Sequence, residues 1–400
     1  MTNFRTLYID MDSFFASIEQ QLDPNLRNKP VAIAAIDNDS GCVVAASYEA
    51  KAYGIKTGTR VYEAKTLCPT INFRQSRHKL YAKYNRYISY LLDSVAELES
   101  VRSIDEFQIY LGNNHSKLSK AVDLSMKIKG LIRKEVGEQI RLSIGIGPNP
   151  LLAKIAGKIK KPNGLQWLCK ENMPGKINHL SLEDLPGISK GIKRRLLGAR
   201  IYSIKDLHGM DPRHARLVWR SIEGERFVRA LKGENIPINR SNRGSYGNSK
   251  VLSPENRSLN RAYLVGRWLL EKSTERIRKY NYCSSRLDIF IRLNDIGVWQ
   301  DSITFSFSQD TLFFLKEFKG LWDKMILALD PKKVDFVGVR LSGLIYLQDR
   351  SGEFLLNLYP GEKNTREKLS TSIDNLNMRY GKRIINFGVH REHPGFFERE

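Results

Sequence analysis

Cysteine is scarce in this chain: four residues in 400, Cys42, Cys68, Cys169 and Cys283, with no Cys-x-x-Cys pair among them. That spacing argues against zinc sites and disulfide scaffolds, and predicts reduced thiols in the cytoplasm. No stretch approaches the ~20 apolar residues of a membrane-spanning helix. The opening Met1-Thr2-Asn3-Phe4-Arg5 has no signal h-region, so a cytoplasmic protein without membrane association is expected. The seven histidines show no ligand spacing, and there is neither repeat nor low-complexity tract. Acidic residues are also in short supply, 43 Asp and Glu against 65 Lys and Arg, a net charge of +22. Such an excess is best explained by a polyanion partner, nucleic acid above all. A chain of this length exceeds what one core usually supports, so several domains are expected.

The few carboxylates cluster in two places. Tyr8-Ile9-Asp10-Met11-Asp12 alternates apolar and acidic residues, which on a strand puts both carboxylates on one face. Asp105-Glu106 answers it downstream. Four converging carboxylates repel unless protons or cations relieve them, and hard oxygen donors suit Mg²⁺. Two such ions about 4 Å apart can serve an in-line phosphoryl transfer, with Asp10 and Asp105 shared and Glu106 beside the attacking group. The plainer alternatives are a solvated Asp105-Glu106 turn and a helix-capping or supporting role for Asp12.

Periodicity places a strand at 5–12, a helix from a Ser13 cap to Gln21, short strands at 31–35 and 43–46, and a helix over 78–97. Strands follow at 99–103 and 107–111, then a helix at 117–136, a strand at 140–146 and a helix at 151–160. That order is a ferredoxin-like, split βαβ pattern with an insert. The texture is helical from Pro162-Asn163-Gly164 to Gly233, basic and loop-like over 234–248, and mixed again over 250–347. Leu369, Ile373 and Leu376 sit at helical spacing near the end. Gly145-Ile146-Gly147-Pro148 lacks the rest of a dinucleotide-binding pattern.

The run from Tyr8 to Glu19 together with Ser103-Ile104-Asp105-Glu106 resembles the two catalytic motifs of the Y-family translesion DNA polymerases, both polymerase IV-like and polymerase V catalytic-subunit-like. The similarity continues through Tyr48-Glu49-Ala50-Lys51 and Leu152-Ala153-Lys154 to Lys161-Pro162-Asn163-Gly164, in family order. It implies an α+β, multidomain right hand: a ferredoxin-like palm at 1–23 and 77–165, small fingers at 24–76, a helical thumb with helix-hairpin-helix at 166–233, a basic linker at 234–248, an α+β little-finger domain at 249–348, and a tail at 349–400. It implies an error-prone polymerase without proofreading that adds dNTPs to a primer 3′-OH on template DNA. Two Mg²⁺ would be held by Asp10, Asp105, Glu106 and the Met11 carbonyl. The nucleotide would meet Phe14, Phe15, Tyr48, Lys51 and Lys161, with Phe15 as steric gate against ribose. From helical spacing alone Phe15 is an ordinary core residue. Lys51 stands where many members have arginine, which keeps the charge and loses the bidentate fork.

Leu185-Pro186-Gly187-Ile188-Ser189 and Lys190 resemble the family's thumb hairpin, which offers backbone N–H groups to a DNA phosphate. Arg243, Lys250 and Arg257, with Arg261, Arg267 and Arg286, are candidates for DNA-backbone contacts in the little finger. Gln309-Asp310-Thr311-Leu312-Phe313 fits the letters of a sliding-clamp peptide but opens a core helix, and Leu355, Leu356, Leu358 and Tyr359 form a degenerate version in the tail. An accessory subunit is a further candidate partner, and a monomer is the default. The alternatives are a non-catalytic DNA-binding scaffold of a damage-tolerance complex, which would not need the acidic cluster, and a nucleotide cyclase, which would not need a duplex-binding surface.

Overall fold

The computed structural model describes residues 3–34, 39, 41–237, 243–353, 361–381 and 383–392. Two compact units divide at residue 238, and the architecture is α+β throughout.

The first unit is built on a five-stranded sheet. Its strands are β1 (Thr6–Met11), β5 (Leu98–Val101), β6 (Glu106–Tyr110), β7 (Leu142–Gly147) and β8 (Leu165–Trp167), in the order β5-β6-β1-β7-β8. β1 is central and buried nearly throughout, with Leu7 and Ile9 fully buried on one face and Thr6 and Tyr8 buried on the other. β6 and β7 flank it antiparallel and β8 lies parallel to β7. The order of the first four is that of the ferredoxin-like pattern. β8 extends the sheet past the expected palm boundary at residue 165.

Between β1 and β5 lie α1 (Phe14–Leu22), β2 (Val31–Ala34), β3 (Val43–Ala46), α2 (Tyr48–Lys51), α3 (Val61–Leu67), β4 (Asn72–Gln75) and α4 (His78–Asp93). The three short strands form their own sheet, β3-β2-β4, over a small core that includes Ala50, Ile55, Ala64 and Cys68. This is the strand-bearing insert read from the sequence. α5 (Leu118–Glu135) precedes β7, and α6 (Pro150–Ile159) follows it, started by the Asn149 side chain accepting from the Leu152 N–H at 2.9 Å.

α6 lies directly on β7. A methyl on Gly145 would overlap the Ala153 carbonyl and the Gly157 nitrogen, so glycine is what permits this approach. The opposite side of α6 gives Leu152, Ile155 and Ala156 to a helical core with α7 (Lys190–Gly198), α8 (Ile204–Gly209), α9 (Pro212–Trp219) and α10 (Ile222–Leu231).

The second unit has a four-stranded antiparallel sheet, β11-β10-β12-β9, made of β9 (Ser245–Val251), β10 (Tyr282–Leu293), β11 (Gly297–Ser308) and β12 (Val334–Tyr346). α11 (Leu259–Lys279) and α12 (Thr311–Leu329) supply much of its core. β9 starts inside the expected 234–248 linker, because Ser245 to Asn248 pair with β12.

The expected tail is also corrected. α13 (Gly361–Arg379) is docked on this unit by Arg350–Glu367 at 2.9 Å and Arg278–Asp374 at 2.6 Å, and Arg267 donates to the Phe387 and Val389 carbonyls at 2.6 and 3.0 Å. Leu355, Leu356, Leu358 and Tyr359 lie outside the described residues. All four cysteines are free thiols, and no described helix is long and apolar enough to cross a membrane.

Candidate active site and nucleic-acid interface

The β1–β6 register sets Asp10 opposite Glu106, and directly opposed residues in an antiparallel pair share a face. The Met11 N–H bonds the Asp105 carbonyl at 2.9 Å, which holds the end of β1 against the Asp105-Glu106 turn. Asp10, Asp105 and Glu106 therefore meet at one edge of the sheet.

Each is engaged. Lys161 pairs with Asp10, Lys154 pairs with Glu106 at 2.6 Å, and Ser103 donates to Asp105 at 2.6 Å. Tyr8 lies two residues before Asp10 on β1, and its hydroxyl donates to Glu106 at 3.0 Å while accepting from Lys154 at 3.1 Å. Burial raises the Asp10 pKa, Lys161 opposes that, and Asp105 and Glu106 add to it. The Tyr8 phenol is pushed far up, first by burial and then by Glu106.

No preformed cage of three His, Cys, Asp or Glu groups is present among the described residues. The mutual repulsion of the three carboxylates is relieved only in part: Lys161 offsets Asp10, Lys154 offsets Glu106, and Asp105 has the neutral Ser103 hydroxyl. The donor set is hard oxygen only, and it already holds two cationic groups. These residues fit magnesium-type ions.

Asp12 departs from the expected convergence. It is 1% exposed and accepts from the Asn163 N–H at 2.7 Å, from the Ser143 hydroxyl at 2.9 Å with both oxygens, and from the Tyr48 hydroxyl at 3.2 Å. It pins the 161–164 loop and helix α2 to the end of β1, and Lys161 stays 3.8 Å away. Lys129 ties the same loop from α5, donating to the Leu142 and Asn163 carbonyls and to Asn163 Oδ1, each at 2.8 Å. Burial lowers its pKa to about 8.

Ser13 does not cap α1. Its φ of 50° is left-handed and its hydroxyl accepts from Lys51 at 2.7 Å. Lys51 also lies 4.3 Å from the Tyr48 ring centroid. So Tyr48, Lys51 and Lys161, which come from two separate segments, gather around Asp10, Asp12 and Ser13. Phe14 and Phe15 are buried, and Phe15 stacks on Tyr81 at 4.2 Å with His78 at its edge.

In the helical part, Gly187 has φ +96°, which favours glycine, and Ser189 caps α7 by accepting from the Ile192 N–H at 3.4 Å. Lys190 is exposed at the start of that helix. A single 3-10 turn, Leu182–Asp184, stands where the first helix of the hairpin motif was expected.

In the second unit Arg243 stacks over Tyr246 at 4.3 Å, and Lys250 is half-buried on β9. Arg257 is spent internally, paired with Asp335 at 3.3 Å and donating to the Leu252 carbonyl at 3.2 Å. Arg267 is held by the C-terminal segment, and Arg286 by Asp288 at 2.8 Å. Gln309 is buried and donates to the Tyr282 carbonyl at 2.9 Å, while Asp310 caps α12, so that clamp-like run is structural. A shallow groove of about 480 Å³ on β9, β10 and β12 is lined by Phe290, Arg292, Phe336 and Arg340. Arg340 lies 5.0 Å from the Phe290 ring and Arg292 lies 5.8 Å from Phe336.

Sequence reasoning missed Tyr8, Ser103, Lys129, Arg292 and Arg340. Strand alternation could have found Tyr8, which shares a face with Asp10.

The profile of the impB/mucB/samB family matches residues 9–158, and that of the family's C-terminal domain matches 243–354. DNA polymerase IV of Moorella thermoacetica is 30% identical over 397 residues, covering 96% of this chain and 95% of the relative. DNA polymerase IV 1 of Bacillus subtilis is 29% identical, covering 96% and 92%. Among solved structures, a Y-family DNA polymerase chimera, Dbh-Dpo4(243-245)-Dbh, superposes with a TM-score of 0.71 at 24% identity, over 86% of this chain and 99% of that one. An insertion ternary complex of Dbh DNA polymerase gives 0.58 at 23% identity over 86% and 99%.

Proposed function

The chain belongs to the impB/mucB/samB family and is a Y-family translesion DNA polymerase; from that premise we propose that its catalytic centre is the carboxylate cluster Asp10, Asp105 and Glu106. The observation that carries this is the register of Asp10 against Glu106, with Asp105 held beside them and two lysines offsetting part of the charge. The substrates are primer–template DNA and a dNTP. Two Mg²⁺ would be held by Asp10, Asp105, Glu106 and the Met11 carbonyl. What such ions supply when bound is stabilisation of charge on the attacking and leaving oxygens.

The chain's own residues do the rest by positioning. Glu106, braced by Tyr8 and Lys154, stands where the primer 3′-OH is received. Tyr48, Lys51 and Lys161 form a polar and cationic bay for the triphosphate, and Lys161 exchanges Asp10 for phosphate as the substrate arrives. Phe15, backed by Tyr81, forms the wall under the sugar and leaves no room for a 2′-OH. Gly187, Ser189 and Lys190 receive a duplex phosphate, and Arg243 and Lys250 add backbone contacts. We take the protein to act as a monomer in the cytoplasm, with a sliding clamp or accessory subunit as transient partners.

Extension of a labelled primer–template with dNTPs and Mg²⁺ tests this. Template-dependent extension lost in Asp105→Ala, with poor use of rNTPs, is the expected result. Intact DNA binding with no extension by the wild type would favour the non-catalytic scaffold.

A further inference from the structure

One ammonium beside the site has no part in the steps above. Lys129 lies on α5, the helix before β7, and is half-buried. Its three N–H groups meet three acceptors, the Leu142 carbonyl at the start of β7 and the carbonyl and Oδ1 of Asn163, each at 2.8 Å. Burial lowers its pKa only to about 8, so at neutral pH the ammonium is intact and donates all three.

Asn163 is thereby gripped by two groups distant in sequence. Its N–H donates to Asp12 at 2.7 Å while its carbonyl and Oδ1 accept from Lys129, and its φ of 56° is the left-handed conformation that asparagine tolerates. Gly164 is fixed as well, its N–H donating to the Ser143 hydroxyl at 3.3 Å and its carbonyl accepting from the Ile144 N–H at 3.0 Å. Lys161 stands two residues before this clamp, paired with Asp10 and 3.8 Å from Asp12. When such a lysine leaves a carboxylate for a phosphate, it loses less freedom if its backbone is already held.

We propose that Lys129 is a positioning residue of the triphosphate bay, acting through Asn163 to set the reach of Lys161 and with it the affinity for the incoming dNTP. The inference rests on the reading of Lys161 as a triphosphate ligand. Lys129 itself meets no reacting group, because all three of its N–H groups are engaged by the chain. What it determines is where the Lys161 backbone stands.

The test is a double-mutant cycle on single-turnover primer extension, with wild type, Lys129→Met, Lys161→Met and the double variant, each shown folded by thermal melting. Lys129→Met should raise the dNTP concentration for half-maximal rate about tenfold, with the maximal rate within about threefold of wild type and primer–template affinity by fluorescence anisotropy unchanged. In the Lys161→Met background the same substitution should change nucleotide affinity less than about twofold, because the residue it acts through is gone. Lys129→Arg, which keeps the charge and enough donors for all three acceptors, should recover most of the affinity. Lys129→Gln takes the place of Lys129→Met if the latter does not melt as a folded protein. Wild-type nucleotide affinity in the folded variant overturns the proposal, and so does an effect of equal size in both backgrounds. A maximal rate that falls while nucleotide affinity holds overturns it too. Wild-type nucleotide affinity in Lys161→Met would instead overturn the reading of the bay beneath it.

Discussion

Two carboxylates a single residue apart should respond to mutation in opposite ways. Asp12 is buried and satisfies the Asn163 N–H, the Ser143 hydroxyl and the Tyr48 hydroxyl. Leaving a buried donor unmet costs about 1–3 kcal/mol, and Tyr48 can turn to water, so Asp12→Ala should destabilise the first unit by about 3–5 kcal/mol. That is a large share of the ~5–15 kcal/mol that holds a domain. Asp12→Asn keeps an acceptor oxygen and should cost about 1–2 kcal/mol. Asp10 is the reverse case, since burial and the neighbouring acids already disfavour its charge. Asp10→Asn removes a like charge and leaves Lys161 partly solvated, so stability should stay within about 1 kcal/mol of wild type while extension is lost. Urea unfolding followed by circular dichroism gives the stabilities, and hydrogen exchange at the Asn163 and Gly164 amides localises the damage. The reasoning fails if Asp12→Ala unfolds within about 1 kcal/mol of wild type with those amides still protected. It fails equally if Asp10→Asn is the less stable of the two.

Gly145→Ala should cost about 3 kcal/mol, since its methyl meets backbone on α6 and must lift the helix that carries Lys154. Gly157→Ala, whose nearest new contact is 3.3 Å, should cost much less, and urea midpoints that reverse this order would contradict the packing. Glu271 in α11 is 3% exposed, lies 3.5 Å from Arg383 and 3.4 Å from His390, and burial lifts its pKa from 4.5 to about 7. A raised carboxylate means the folded state holds its proton longer, so stability is greatest below the unfolded pKa and falls as pH rises through about 7, by up to ~3 kcal/mol. Glu271→Gln should flatten that slope for the second unit, and a gap between variant and wild type that does not change with pH would refute it. Phe15→Ala should lower discrimination against rNTPs at least tenfold, about 1.4 kcal/mol. Loss of stability with discrimination unchanged would make Phe15 a core residue and nothing more.

The carboxylate cluster was legible because strand alternation is a local rule. Asp10, Asp105 and Glu106 could be named before their contacts were known, and so could the helices on either side of β7. What the lysines do was not legible. Lys154 and Lys161 read as parts of motifs, but their pairing with Glu106 and Asp10 depends on how closely α6 lies on β7, which the glycine contact at 145 sets in three dimensions. Asp12 was ambiguous for a similar reason. Its partners Tyr48, Ser143 and Asn163 are 36, 131 and 151 residues away in the chain.

The C-terminal helix shows how a correct period can hide the wrong face. Leu369, Ile373 and Leu376 do mark α13, yet Leu369 and Leu376 are exposed, and none of the three belongs to the core of the second unit. The helix docks instead through Glu367, Ser370 and Asp374, which meet Arg350, the Thr311 N–H and Arg278. Hydrophobic patterning finds the docking face only when apolar burial supplies the attraction. Here Arg278 and Arg350 are themselves buried, and an arginine drawn into a protein interior demands a carboxylate partner, so the polar stripe of the helix is the one that must face inward. Neither Arg278 nor Arg350 was singled out from the sequence, because nothing in a sequence distinguishes a guanidinium exposed to solvent from one already held by its own chain.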